Sequence, residues 1–302
     1  MRLVKFYLLL IKKLNCVVKI RQDKPANYKA VFFNGKTIRM RLDIAKPILA
    51  PKYAEIEDVA INTKCFAKCR YCYTSATKFG VNFDRIVEKA HLVWGSVSEE
   101  SRPFQIAIGG AGESTLHPDW NEFIKEVYSL GIMPNYTTNG MHTTQEILKT
   151  TEAYCGGVAI SYHPHILKVF QNAIKDYSSI NTRLNVHVIL GDKNSLNDLQ
   201  SIYDKYADVL DYIVVLPYQA AGRGKPIDTK SVWLEAFEWI NSVESTKFAF
   251  GALFYNFLLE NKVPLEMSIY EPEIYSGYRI MDDSFMTLRK SSYNLEPKII
   301  NY

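Results

Sequence analysis

Between residues 54 and 228 short apolar runs alternate with longer stretches in which apolar residues recur every three or four positions. The short runs have the length of buried strands, and the longer period is that of a helix with one buried face. Val59-Ala-Ile61, Gln105-Ile-Ala-Ile108, Met133–Thr137, Gly157-Val-Ala-Ile160, Leu184–Leu190 and Tyr212-Ile-Val-Val-Leu216 read as six strands. Between them a helix is predicted over Phe83–Val97. Another runs from Asp119 to Leu130, with Trp120, Phe123, Val127 and Leu130 on one face and Gly131 as its stop. A third places Ile166, Val169, Phe170, Ala173, Ile174 and Tyr177 together, and Ser195 with Asp198 predicts a capping box for a fourth carrying Leu199, Ile202 and Tyr206. Six β-then-α units predict a parallel sheet with helical crossovers, whose strand C-termini and following loops share one edge.

The flanks read differently. Ala30-Val-Phe-Phe33 and Thr37–Leu42 surround Asn34-Gly35, the favoured two-residue hairpin turn, and Pro47 and Pro51 follow. Residues 1–53 are therefore expected to form a small β-rich extension, residues 54–228 the α/β core, and residues 229–302 an α+β extension covering it. In that last part Trp233, Phe237 and Ile240 mark a helix, Lys247–Phe250 a strand and Phe254–Leu259 a short helix. Tyr278–Met281 and Phe285–Arg289 mark a hairpin around Asp282-Asp283-Ser284.

Composition is ordinary for a soluble globular protein, at 47% hydrophobic and 23% charged residues. Five cysteines are too few and too uneven for a secreted disulfide framework, and a cytoplasmic location is expected. The apolar run Phe6–Ile11 is too short for a signal core or a membrane span, and a buried strand or short helix is preferred. Net charge is +4, yet residues 1–53 hold thirteen Lys or Arg against two acids. That asymmetry fits either an acidic partner such as nucleic acid or a solvated basic face.

Three of the cysteines fall in Cys65-Phe-Ala-Lys-Cys69-Arg-Tyr-Cys72, just after the first strand. Cysteines used only for packing have no reason to cluster so. Iron–sulfur cubanes usually take four thiolates, so three leave one iron open to a non-protein ligand. The alternative is a structural zinc site in a non-enzymatic interaction module, which needs four ligands. No fourth is evident, since His91 falls in a helical run.

The C-x3-C-x2-C spacing, with Tyr71 before the last cysteine, resembles the cluster loop of the radical S-adenosylmethionine (radical SAM) superfamily. The resemblance covers residues 54–225. It implies a partial (β/α)6 TIM-like barrel and a [4Fe-4S] cluster on Cys65, Cys69 and Cys72, with S-adenosylmethionine chelating the open iron. It further implies one-electron cleavage to a 5′-deoxyadenosyl radical, and a one-electron reductase such as a flavodoxin as partner. Cys16 and Cys155 cannot complete an auxiliary cubane, so a single-cluster member is expected.

Gly109-Gly110-Ala-Gly112-Glu113, ending the second strand, is similar to the superfamily's Gly-Gly-Glu element, which implies that Glu113 holds the amino group of S-adenosylmethionine. Ser114 stands where many members have proline. A phosphate loop is not indicated, because no Gly-Lys-Ser/Thr ending follows. Asn139 resembles the family turn after the third strand. Ser161, ending the fourth, is placed either for the ribose or carboxylate or as a strand-end cap. Arg223, in the Gly-rich loop after the sixth strand, either pairs with a carboxylate or phosphate or is an ordinary surface residue. His163 and His165 flank Pro164 and read as a helix start rather than a second metal site. Cys155 is read as a buried thiol or as a hydrogen-atom donor. The expected substrate is a peptide or protein side chain. The alternative is a nucleotide or RNA base, tested by salt-sensitive binding through Lys12, Lys13, Arg39 and Arg41.

Overall fold

The computed structural model describes residues 18–33, 35–243, 245–251, 253–261, 269–270, 276–282 and 288–289. The run Phe6–Ile11, Lys12, Lys13, Cys16 and the Asp283-Ser284 turn lie outside them.

β1 (Val18–Asp23), β2 (Tyr28–Phe33) and β3 (Lys36–Arg41) form a small antiparallel sheet in the order β1-β2-β3. The hairpin is the expected one, while β1 adds a strand that the apolar pattern does not announce. Its buried residue is Arg21, and its apolar Ile20 faces solvent. Arg21 Nη1 donates to the Tyr53 and Ala54 carbonyls, each at 2.9 Å, and Nη2 to the Arg102 carbonyl at 2.6 Å. A strand that satisfies a buried guanidinium in this way breaks the usual alternation.

The core begins at β4 (Ile56–Ala60) and continues through β5 (Gln105–Ile108), β6 (Met133–Thr138), β7 (Gly157–Ser161), β8 (Arg183–Leu190) and β9 (Tyr212–Pro217). Its crossovers are α1 (Ile86–Ala90, extended by a π-type turn over His91–Gly95), α2 (Trp120–Ser129), α3 (Gln145–Tyr154), α4 (Leu167–Tyr177) and α5 (Lys193–Tyr206). All six expected strands are present, and neighbours from β4 to β9 pair in parallel. The capping box of α5 is one turn earlier than expected. Asp192 Oδ1 accepts the Ser195 amide at 2.9 Å and Ser195 Oγ accepts the Asp192 amide at 2.9 Å. Ser195 is thus the third helical residue rather than the cap, because the aspartate just before the helix captures its free N–H.

After residue 228 come α6 (Lys230–Ser242), β10 (Phe248–Phe250), α7 (Phe254–Glu260), β11 (Ile269–Tyr270), β12 (Ser276–Ile280) and β13 (Leu288–Arg289). The strands lengthen the large sheet at both ends, giving the order β11-β10-β9-β8-β7-β6-β5-β4-β12-β13. Here β12 runs parallel to β4 and β13 closes the expected hairpin antiparallel to β12. Beneath the β4–β12 pair, Arg279 Nε donates to Glu57 Oε2 at 2.7 Å, with side chains 0% and 2% exposed. Trp94 Nε1 adds a bond to the same oxygen at 3.3 Å.

Side chains alternate across this sheet. Ile106, Ile108, Val158, Ile160, Val186, Val188, Ile213 and Val215 face the helices and build the main core with Phe123, Phe170, Ile174 and Leu199. The opposite residues face the hollow of the half-barrel, and most of them stay partly accessible. The small sheet plugs the N-terminal end of this hollow, where Tyr28, Ala30 and Phe32 pack with Phe104 and Met133. Glu55 accepts from the Tyr28 hydroxyl and from Arg39, whose Nη2 lies 2.6 Å away. The loops after the parallel strands are left open at the other end. Among the described residues, no helix is long and apolar enough to cross a membrane.

Candidate active site

The cysteine loop is an excursion of about twenty residues closed at its base by backbone pairing. Phe83 N donates to Ile61 O at 3.1 Å, Thr63 N to Val81 O at 2.9 Å and Cys65 N to Thr77 O at 2.9 Å. Lys68 has φ of 55° and Ser75 of 56°, a left-handed backbone costly for side-chain-bearing residues. Such strain persists only where surroundings fix it. Arg223 does so, as Nε donates to Cys69 O and Nη1 to Ala76 O, each at 2.9 Å, while its own amide donates to Cys72 O at 3.0 Å. Arg223 is therefore committed to the loop, an assignment sequence spacing gives no means of making. His165 adds a ring-nitrogen contact of 2.7 Å to Ala67 O.

The turn after β5 lies directly on this loop. Glu113 N donates to Lys64 O at 2.8 Å and Asn62 Nδ2 to Glu113 O at 2.7 Å. A Cβ on Gly112 would stand 2.4 Å from Asn62 Oδ1 and 2.7 Å from Lys64 O, so only glycine permits this approach. Gly109 N donates to Val59 O at 2.9 Å, and Gly110 turns the chain with φ of +83°. The Glu113 carboxylate is 4% exposed and well bonded. Oε1 accepts from Thr115 Oγ1 and Thr138 Oγ1, each at 2.8 Å, and Oε2 accepts the Asn139 amide at 2.7 Å. Burial raises its pKa, and these three donors oppose the rise. It thereby joins the β5 and β6 turns and keeps acceptor capacity on Oε2.

Asn139 continues the chain of contacts, its Nδ2 lying 3.5 Å from Cys65 Sγ. On the other side His163 Nδ1 stands 3.6 Å from Cys69 Sγ and 3.1 Å from the Tyr71 hydroxyl. Pro164 does open a short helical turn, as expected, but the histidine before it also belongs to the site. Only its position two residues beyond Ser161, at the end of a strand, hinted at this in the sequence. Ser161 is half-buried at the end of β7, level with His187 of β8. Cys155 lies away from this edge, against the main core at the end of α3.

Burial pushes the Cys69 thiol up to about 12, and the neighbouring Cys65 and Cys72 push it further in the same direction. Burial raises Cys65 as well. Raised thiols of this kind, set beside a third cysteine, suit a cationic metal centre, which deprotonates its ligands. All three are free of disulfides. Among the described residues, no three His, Cys, Asp or Glu side chains come close enough to share one metal ion. A cubane does not require that, because each cysteine ligates a different iron.

No protein-family signature matches the sequence, and neither does any curated protein. Solved structures do match in shape. Streptococcus suis SuiB bound to S-adenosylmethionine superposes with a TM-score of 0.65 at 9% identity, covering 94% of this chain and 84% of that one. SuiB bound to the precursor peptide SuiA gives 0.62 at 13% identity, and the chain spans 83% of its own length but only 63% of SuiB there. Native anSMEcpe with bound AdoMet and Cp18Cys peptide gives 0.53 at 14% identity, covering 80% and 75%. The partial (β/α)6 barrel that the cysteine loop implies is thus the fold the chain adopts, and it shares that fold with SuiB and anSMEcpe.

Proposed function

We propose that the chain is a single-cluster radical SAM enzyme acting on a peptide or protein side chain. One observation carries this reading: at the open edge of the half-barrel the loop of Cys65, Cys69 and Cys72 is held against the Gly112-Glu113 turn and Asn139. The three cysteines would hold a [4Fe-4S] cluster. The cluster would supply an open iron for S-adenosylmethionine and the electron that cleaves its sulfonium to a 5′-deoxyadenosyl radical.

The chain's own residues supply position. Arg223 and the backbone hydrogen bonds at the base of the loop fix where the thiols stand, and Glu113 would take the amino group of S-adenosylmethionine. Ser161 and Asn139 lie on the same rim, and the hollow below would admit the substrate. A reductase such as a flavodoxin would deliver the electron. SuiB and anSMEcpe structures hold peptides, which supports a peptide substrate. The nucleic-acid reading loses ground, because Arg21 and Arg39 of the basic segment are engaged by backbone carbonyls and Glu55.

Anaerobic reconstitution with iron and sulfide, followed by reduction with dithionite in the presence of S-adenosylmethionine, tests the reaction class. The expected result is a brown protein that releases 5′-deoxyadenosine, with release lost in Cys69→Ala. A colourless protein binding one zinc and releasing nothing would favour the interaction-module reading.

A further inference from the structure

The hollow of the half-barrel is lined by alternate strand positions, most of which carry polar side chains. Asp58 of β4, Ala107, Asn135, Gly157 and Arg183 form one level, as their pairing register shows. Thr137, Ala159 and Asn185 form the next, and Ser161 and His187 the level nearest the cysteine loop. In a hollow with no function these would be apolar, as the interiors of closed (β/α) barrels are.

Two acceptors among these groups have no partner among the described residues. Asn135 Nδ2 is satisfied by Gln105 Oε1 at 3.1 Å and Ile106 O at 3.2 Å. Asn185 Oδ1 is shielded from solvent and receives no hydrogen bond. Asp58 makes no hydrogen bond or ion pair with any described residue, although it stays exposed to the hollow. Asp58 is thus an acceptor open to the hollow with no donor among the described residues, and a donor that enters the hollow can reach it.

Nearby charges do not supply one. Glu57, next to Asp58 on β4, and Arg279 of the neighbouring β12 point the other way and neutralise each other. Lys89 donates to Met281 O at 3.1 Å on the helical face. Arg183 shares the level of Asp58 but stands four strands away, where a Cβ on Gly35 of the small sheet would come within 2.6 Å of its Nη1. Tyr278 of β12 is beside Asp58 and Ala107 of β5 is on its other flank. The protein walls alone push the Asp58 carboxyl up to about 6, with no neighbouring charge contributing.

We propose that Asp58 is a substrate-recognition residue that receives a cationic side chain, lysine or arginine, of the peptide. This rests on the reading of the open edge as the reaction site. A lysine or arginine that enters the hollow would meet this carboxylate in a charge-assisted bond.

The test uses the reconstituted protein and three synthetic probes, acetyl-Gly-Gly-Lys-Gly-Gly-amide and its norleucine and glutamate counterparts. Binding is measured by calorimetry at pH 7.5 and 5.0. The lysine probe is expected to bind roughly tenfold tighter than the others at pH 7.5. That preference should vanish in Asp58→Asn, survive in Asp58→Glu, and shrink in the wild type at pH 5.0. The wild-type pH comparison holds even where a variant fails to fold. Equal binding of lysine and norleucine probes, or an undiminished preference in Asp58→Asn or at pH 5.0, would overturn the proposal. The same samples are assayed for 5′-deoxyadenosine. Release without lysine preference removes the role of Asp58 alone, and lysine preference without release removes only the reaction reading.

Discussion

Arg223 bonds the carbonyl of Cys69 across 154 residues of sequence, Nε to oxygen at 2.9 Å, and so ties the loop after β9 to the loop after β4. One guanidinium fork thus determines whether the thiols stand still. Lysine cannot reproduce two such bonds from a planar fork. Arg223→Lys should therefore leave the barrel folded but lower the iron retained after desalting, by twofold or more, as read from iron and sulfide per chain. Full retention would show that the loop holds itself.

Gly112→Ala tests the contact between the two turns. Its Cβ would fall 2.4 Å from Asn62 Oδ1, and overpacking of this kind costs about 1–3 kcal/mol. Denaturant melts should show that loss, accompanied by weaker S-adenosylmethionine binding in calorimetry. A melt unchanged from wild type would mean that the turn can shift freely.

The Glu57–Arg279 pair is fully enclosed and joins residues 222 positions apart. Removing one partner of a buried pair costs about 3–5 kcal/mol, because the other is left charged and alone. Arg279→Ala should be destabilised to that extent in urea, while the double variant Glu57→Leu, Arg279→Met should recover much of it. Equal losses in both would place the cost in packing instead.

His187 supplies a pH-dependent term. Burial lowers its pKa to about 4 from 6.5, so the folded state holds fewer protons than the unfolded state between those values. Stability from this group is therefore complete above about 6.5 and declines as pH falls toward 4. Thermal melts at pH 7.5 and 5.0 should differ less in His187→Gln than in the wild type. An equal difference in both would assign the acid sensitivity elsewhere, although Asp58, raised by burial, acts in the opposite sense over part of this range.

The six core strands were legible because buried parallel strands are short apolar runs, and so were the crossover helices with a clear apolar stripe, whereas α3 was missed because two of its four buried residues are Thr150 and Thr151. The cysteine loop was legible because three thiols in eight residues serve no packing purpose. Other features were not legible, each for a physical reason. β1 buries Arg21 and exposes Ile20, which inverts the signal that marks a strand. The pairing of β12 with β4 is a long-range match that local periodicity cannot report. His163 reads as a helix start, and its place beside Cys69 follows only from the β7 crossover. Arg223 reads as a ligand partner until the backbone carbonyls it meets are known.

The central claim is that Cys65, Cys69 and Cys72 leave one iron open for S-adenosylmethionine. Electron paramagnetic resonance of the reduced, reconstituted protein, recorded with and without S-adenosylmethionine, addresses it most directly. The account predicts a [4Fe-4S]⁺ signal whose g-values shift when S-adenosylmethionine is added, and which is lost in Cys69→Ala. A cluster signal that S-adenosylmethionine leaves unchanged, or a protein without iron, would contradict it.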